Sequence, residues 1–326
     1  MPLKIPHKIS RFIGPAFGLC ILITVVIILQ RQIKHLTLQG IIDHITAVPT
    51  HKILLALLFN LFAYLVLCGY DLLGLRYIHK KIPIHKAAFA SILSYIFSNN
   101  IGMSIVGASA MRLRFYPLWG LRTASIFRLV IFCSVTMWLG IFTISGLSFI
   151  INPIDLPPDI PIPTHLIRPL GFFLLTLVAA YMVLCHNYRY LIKLPGNIIF
   201  KLPKLRIALL QPLIGIVDYS LAALVLYTLL PHHTGIHFPI VLTIFLLAQI
   251  SGMISHVPGG LGVFDAVAFL MLTQYYTSDI ALGSIILFRA IYFLLPLLFG
   301  AVILLIYELL TFTSSSPPLS PPPAQP

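Results

Sequence analysis

Between Ile240 and Tyr275 an apolar run is broken by His256-Val257-Pro258-Gly259-Gly260-Leu261-Gly262-Val263-Phe264-Asp265, which sets a proline, three glycines and a carboxylate together. Proline has no amide donor, and glycine lets the backbone leave regular helix geometry. In hydrocarbon, each freed N–H or C=O is costly unless protein or water satisfies it. Irregular backbone at membrane depth is therefore expected only where protein covers it or where it lines a cavity. Broken helices of this kind build the substrate sites of many transporters. The alternative is a short extracytoplasmic loop joining two ordinary helices. In a site, Pro258, Gly259, Gly260 and Gly262 would offer exposed backbone, with Asp265 beside them to contact a cation or carry a proton.

Other charged residues lie where hydrocarbon should exclude them. A charge deep in a spanning helix costs about 2.5–3.5 kcal/mol on insertion scales, so each needs a partner or a use. Asp218 and Arg289 occupy similar depths in two long apolar runs. They are expected to face the interior and to interact directly or through a lipid group, either pinning two helices or serving transport. Asp71 ends another run, within reach of Arg112 or Arg114 if the segment between them folds back, or solvated if it does not. That segment carries its own interruption, Ser98-Asn99-Asn100-Ile101-Gly102, whose amides could satisfy freed backbone groups or a ligand. His256 reads as a packing residue or a headgroup contact. His232, His233 and His237 are too few and too loosely framed for a metal site, and no metal or cofactor is expected. No phosphate-binding G-x-x-x-x-G-K-[ST] loop, H-E-x-x-H string or Ser/His/Asp set stands out.

The elements that would position these residues are membrane helices. Apolar residues form 59% of the 326-residue chain and charged ones 9%, against roughly 45–50% and 25% in soluble domains. The net charge of +13 comes from residues at helix ends, which suits anionic lipid rather than nucleic acid. Cys20, Cys68, Cys133 and Cys185 sit singly in apolar runs, as small buried hydrophobes. Full spans are expected near 12–30, 52–73, 123–147, 166–186, 207–230 and 280–309, with interrupted segments at 87–110 and 240–275. Basic residues bracket the first interrupted segment, from Arg76, Lys80, Lys81 and Lys86 to Arg112, Arg114, Arg122 and Arg128. None bracket the second.

Re-entrant hairpins, one from each side, reconcile this with the positive-inside rule and leave sixteen basic residues inside against four outside. The expected fold is all-α and polytopic: six spans and two re-entrant hairpins in one domain, 1–312. Its halves, about 12–150 and 166–310, form an inverted repeat, followed by a disordered Pro/Ser-rich tail at 313–326. Both termini are expected in the cytoplasm. Eight simple crossings would also return the C-terminus there.

Several motifs in order resemble a known family: Gly69-Tyr70-Asp71, Tyr95-Ile96-Phe97-Ser98-Asn99-Asn100-Ile101-Gly102, Gly107 before Arg112-Leu113-Arg114-Phe115-Tyr116, Trp119-Gly120-Leu121, Phe132-Cys133-Ser134, Trp138-Leu139-Gly140 and Val257 to Phe264. Together they are similar to the membrane domain of the bacterial lysylphosphatidylglycerol synthetase/flippase proteins, the multiple peptide resistance factors. The resemblance implies that the domain moves an aminoacylated phospholipid between leaflets of the inner membrane, and that Asp71, Arg112 and the Pro-Gly-Gly segment matter for that task. Asp265 stands where the family more often has Glu. The soluble synthase domain is absent from this sequence, so no enzyme activity is expected. The expected partners are phospholipids with anionic or aminoacylated headgroups, another copy of the chain or a separate lipid-modifying enzyme. Two further readings stay open: a secondary transporter of a small polar solute using Asp218, Asp265 and Arg289, and a non-transporting partner of an envelope-modifying enzyme.

Overall fold

The computed structural model describes residues 46–101, 104–154, 164–187, 191–194, 198–232, 235–254 and 258–314. The expected first span at 12–30, Cys20, His233, His256 and the tail beyond Ser314 lie outside these residues. In order, the helices are α1 (Thr50–Tyr77), α2 (Ile84–Ile101), α3 (Ser104–Phe115), α4 (Thr123–Ile151), α5 (Ile167–Asn187), α6 (Leu205–Leu229), α7 (Phe238–Ile254), α8 (Val263–Leu272), α9 (Ser278–Arg289) and α10 (Leu295–Ser314). Among the described residues, five helical runs are long and apolar enough to cross a membrane: Thr50–Tyr77, Thr123–Ile151, Ile167–Asn187, Leu205–Leu229 and Ser278–Thr311. The chain is a multi-pass membrane protein. The described residues up to Phe293 form one compact unit, and α10 is the described helix of a second.

Among the described residues the fold is all-helical apart from one short element. An antiparallel hairpin, β1 (Leu191–Leu194) and β2 (Ile198–Lys201), occupies the basic loop between α5 and α6. Pro195-Gly196-Asn197 separates two short runs rich in Leu, Ile and Phe, which is turn chemistry between strand formers. Tyr77 at the end of α1 donates its hydroxyl to the Lys201 carbonyl at 2.5 Å.

Around an apolar core, the helices also turn apolar side chains outward and polar ones inward. Leu54, Leu58, Leu61, Phe62 and Leu65 on α1, and Phe172 and Phe173 on α5, are exposed. Asn60, Asp71, Ser91, Arg112, Thr136, Gln211 and Asp218 are buried. In hydrocarbon, apolar side chains can face outward while polar ones must find partners inside. The buried Gln211 amide donates to Thr136 Oγ1 at 2.7 Å and accepts from the Tyr181 hydroxyl at 2.8 Å, linking α4, α5 and α6. The same turn of α6 holds Pro212, which removes a helix hydrogen bond.

Small residues let these helices approach. A Cβ on Gly140 of α4 would lie 2.5 Å from the Gly215 Cα of α6, so the two backbones touch. Gly140→Val is therefore expected to force the helices apart and cost about 1–3 kcal/mol. Thermal unfolding of the purified protein in detergent would show the loss. Gly69→Ala is the matched control, because its Cβ would rest 3.6 Å from Ile214 Cδ1, an ordinary contact.

Candidate functional site

The Pro-Gly break is a turn held by one side chain. Pro258–Gly260 forms a single 3-10 turn, and Gly259, Gly260 and Gly262 take φ values of 60, 62 and 82°. Those are left-handed values that glycine adopts without a Cβ penalty. Arg289, at the end of α9, reaches into the turn. Its Nη1 donates to the Gly259 carbonyl at 2.7 Å and its Nη2 to the Gly260 carbonyl at 3.3 Å. One edge of the same guanidinium holds both Asp265 oxygens, Nε donating to Oδ1 at 2.7 Å and Nη2 to Oδ2 at 3.0 Å. Asp265 Oδ2 also accepts the Gly262 amide at 2.9 Å, capping the first turn of α8 where a negative charge complements the helix dipole. The Phe264 and Phe293 rings flank the cation at 5.1 and 4.9 Å. Arg289 is 3% exposed and Asp265 27%, so the carboxylate is the accessible edge of the pair.

The direct Asp218–Arg289 pair, one of the two arrangements expected, is not formed. Asp218 instead accepts the Tyr70 hydroxyl at 2.9 Å and ties α6 to α1, while its Oδ1 has no partner among the described residues. Similar depth in two spans gave these residues the same height but not facing sides. The break supplies Arg289 with a nearer carboxylate and two freed carbonyls.

The two interrupted segments meet at this point. Each forms a helix pair, α2 with α3 and α7 with α8. Asn99 and Asn100 lie in the last turn of α2 rather than in an open loop. A Cβ on Gly259 would lie 3.3 Å from the Asn99 carbonyl oxygen and 3.7 Å from that of Asn100, so backbone meets backbone. Beyond Arg289 the chain widens into a π-helical turn, Ala290–Leu294, where the 280–309 span was read as regular. Such turns release carbonyls and cluster at functional sites. The carbonyls of Ile291, Tyr292 and Phe293 accept from Asn60 Nδ2 at 2.8 Å, the Tyr64 hydroxyl at 3.2 Å and Asn100 Nδ2 at 3.3 Å. Asn100 also donates to the Ile96 carbonyl at 2.8 Å, so its amide satisfies backbone, the safer of its two expected uses.

Asp71 and Arg112 form a second ion pair inside the first half. Arg112 Nη2 meets Asp71 Oδ1 at 2.5 Å, and Nε meets Oδ2 at 3.0 Å. The Tyr116 hydroxyl donates to Oδ2 at 2.5 Å, and Cys133 Sγ lies 3.4 Å from Oδ1. Arg112 stacks over Tyr95 at 4.9 Å. With exposures of 1% and 0%, Arg112 and Asp71 are sealed inside, as the folded-back alternative for Asp71 requires. A buried guanidinium is tolerable because the carboxylate neutralises it and fills its donors. Arg114 is half-buried with its guanidinium 5.9 Å from the Phe115 ring, and Arg128 is half-buried in the second turn of α4.

Sequence reasoning did not single out Asn60, Tyr64 or Phe293, and it quoted Tyr70, Tyr116 and Phe264 only within motifs, without a role at a site. Neutral polar residues in apolar runs announce no charge cost. Asn60 and Tyr64 stand one helical turn apart, so spacing alone marked a polar stripe on one face of α1.

No protein-family model matches the chain. It is 32% identical over 306 residues to the uncharacterized protein slr0712 of Synechocystis, an alignment covering 93% of this chain and 94% of that one. It is 30% identical over 250 residues to the inner membrane protein YbhN of Escherichia coli, covering 76% and 77% respectively. A phosphatidylglycerol lysyltransferase of Staphylococcus xylosus is 26% identical over 317 residues, covering 93% of this chain but 35% of that protein.

Proposed function

Because the chain belongs to the family of slr0712 and the inner membrane protein YbhN, to which the membrane portion of the phosphatidylglycerol lysyltransferases is also related, we propose that it is a phospholipid flippase of the bacterial inner membrane. In this reading, six spans and two re-entrant helix pairs form an inverted repeat with both termini in the cytoplasm, and a lipid headgroup crosses where the pairs meet. The observation that carries it is the contact of the two tips at Gly259 and Asn99, with the Arg289–Asp265 pair beside it.

The chemistry suits a zwitterionic or aminoacylated headgroup. The exposed edge of Asp265 can take an ammonium group while Arg289 turns toward phosphate. Each charge then exchanges one partner for another instead of standing bare in hydrocarbon. The glycines keep backbone atoms at the surface of the turn, where a headgroup can approach closely. The acyl tails remain in lipid, so the path opens sideways.

The test follows a labelled aminoacyl-phospholipid across reconstituted vesicles. Gly259→Val is expected to insert and fold yet move little lipid, because a β-branched residue resists φ of 60° and its Cβ would crowd the Asn99 carbonyl. If wild-type vesicles equilibrate the lipid no faster than empty ones, the flippase reading fails and a solute transporter built on Asp218, Asp265 and Arg289 moves ahead.

A further inference from the structure

A groove of about 440 Å³ lies well apart in sequence from the tips, between the C-terminal half of α1, the start of α2 and the first half of α6. One end is basic, with Arg76, Lys80 and Lys81. The walls are leucine and isoleucine, and Gly69 and Ile214 close the far end. No acidic residue lines it. The three cations are exposed, and no hydrogen bond or ion pair to their side chains is found among the described residues.

The backbone is built to hold them there. α1 ends in a Schellman-type turn: the Lys80 amide donates to the Leu75 carbonyl at 3.0 Å and the His79 amide to that of Arg76 at 3.2 Å. His79 carries the left-handed residue with φ of 55°, a position glycine usually fills. That turn folds Lys80 and Lys81 back beside Arg76 instead of letting them trail away.

Length and polarity fit one kind of occupant. Gly69 lies about 10 Å along the helix from Arg76, within the roughly 15 Å depth of one leaflet's hydrocarbon. Beyond the groove the same faces continue as exposed apolar side chains, Leu65 and Phe62 on α1 and Leu213 and Val217 on α6. A cationic end opening onto an apolar track matches an amphiphile whose head is an anion and whose tail lies parallel to the helices. We infer that this groove binds an anionic diacyl phospholipid of the leaflet facing the basic helix ends. Its phosphate sits among Arg76, Lys80 and Lys81, and one acyl chain lies between α1 and α6.

Binding here does not depend on transport, so the experiment contains no translocation step. The full-length protein is placed in phosphatidylcholine nanodiscs holding a small fraction of phosphatidylglycerol with a diazirine midway along one acyl chain. After photolysis, label is expected on peptides around 65–73 and 207–217. A phosphatidylcholine probe with the same chain is expected to label them less. Replacing the three cations together (Arg76→Gln, Lys80→Gln, Lys81→Gln) is expected to cut phosphatidylglycerol labelling about tenfold, a screened fraction of what three near-surface cations contribute. It should leave the phosphatidylcholine probe unchanged. Gly69→Leu, filling the far end, is expected to reduce labelling by both probes. Equal labelling of the native protein by the two probes would overturn the inference, as would an undiminished signal in the triple variant. These outcomes leave the flippase assay untouched, and failure of that assay leaves the groove standing.

Discussion

Asp71→Ala is expected to unfold more of the protein than any other single change to a side chain in the first half, by about 3–5 kcal/mol. The substitution leaves Arg112 charged and 1% exposed without the Asp71 carboxylate that neutralises it. It also strands the Tyr116 hydroxyl and two guanidinium donors that now converge on Asp71. These groups belong to α1, α3 and the 3-10 turn Tyr116–Trp119 after it, so one carboxylate holds the α2–α3 pair against α1. Asp71→Asn keeps an acceptor for Tyr116 and should cost less than Asp71→Ala. Combining Asp71→Asn with Arg112→Gln should cost less than the two single losses added, because neither charge is then left alone. Unfolding by increasing SDS, read by helical circular dichroism, measures all four proteins. Additive losses would mean that the pair is not coupled and that each residue acts through other contacts.

That pair also shows what was legible in the sequence. Its charges stood out because hydrocarbon makes any charge conspicuous, and the basic flanks required the segment between them to fold back. Five of the expected spans among the described residues appear within a few residues of their helices, since length and hydropathy set them directly. The break at Pro258–Gly262 was legible for the same backbone reason that makes it a turn. The partner of Arg289 was not legible. Hydropathy gives height along the membrane normal, whereas pairing depends on which way each helix face turns, and Asp218 turns toward Tyr70. The π-helical turn after Arg289 leaves no composition signal, since Ala290-Ile291-Tyr292-Phe293-Leu294 suits a regular helix equally well. Its cause lies in Asn60, Tyr64 and Asn100, which come from other helices to accommodate it. The β-hairpin between α5 and α6 was not foreseen, because two four-residue strands leave little pattern beside long apolar helices.

Arg289 is expected to be the residue on which transport depends most. It joins three things that would otherwise be separate: the carbonyls of the glycine turn, the carboxylate of Asp265 and the aromatic pair Phe264 and Phe293. Arg289→Gln keeps a donor but cannot neutralise Asp265 or span both carbonyls. Arg289→Lys keeps the charge but lacks the planar fork that makes the two-oxygen grip, so it should not rescue function. Both are expected to slow lipid movement at least about a hundredfold per folded molecule, as breaking a partly buried pair implies. Asp265→Asn should fall with them. Asp265→Glu should retain much of the activity, since one added methylene leaves the charge and the two-oxygen grip available. Flipping rates normalised to folded, monodisperse protein separate this pattern from simple misfolding, which would lower yield in every variant alike. Equal activity in Asp265→Asn and Asp265→Glu would show that the carboxylate's charge is not used in transport. The tip contact would then be a structural joint between the two helix pairs rather than the crossing point of a headgroup.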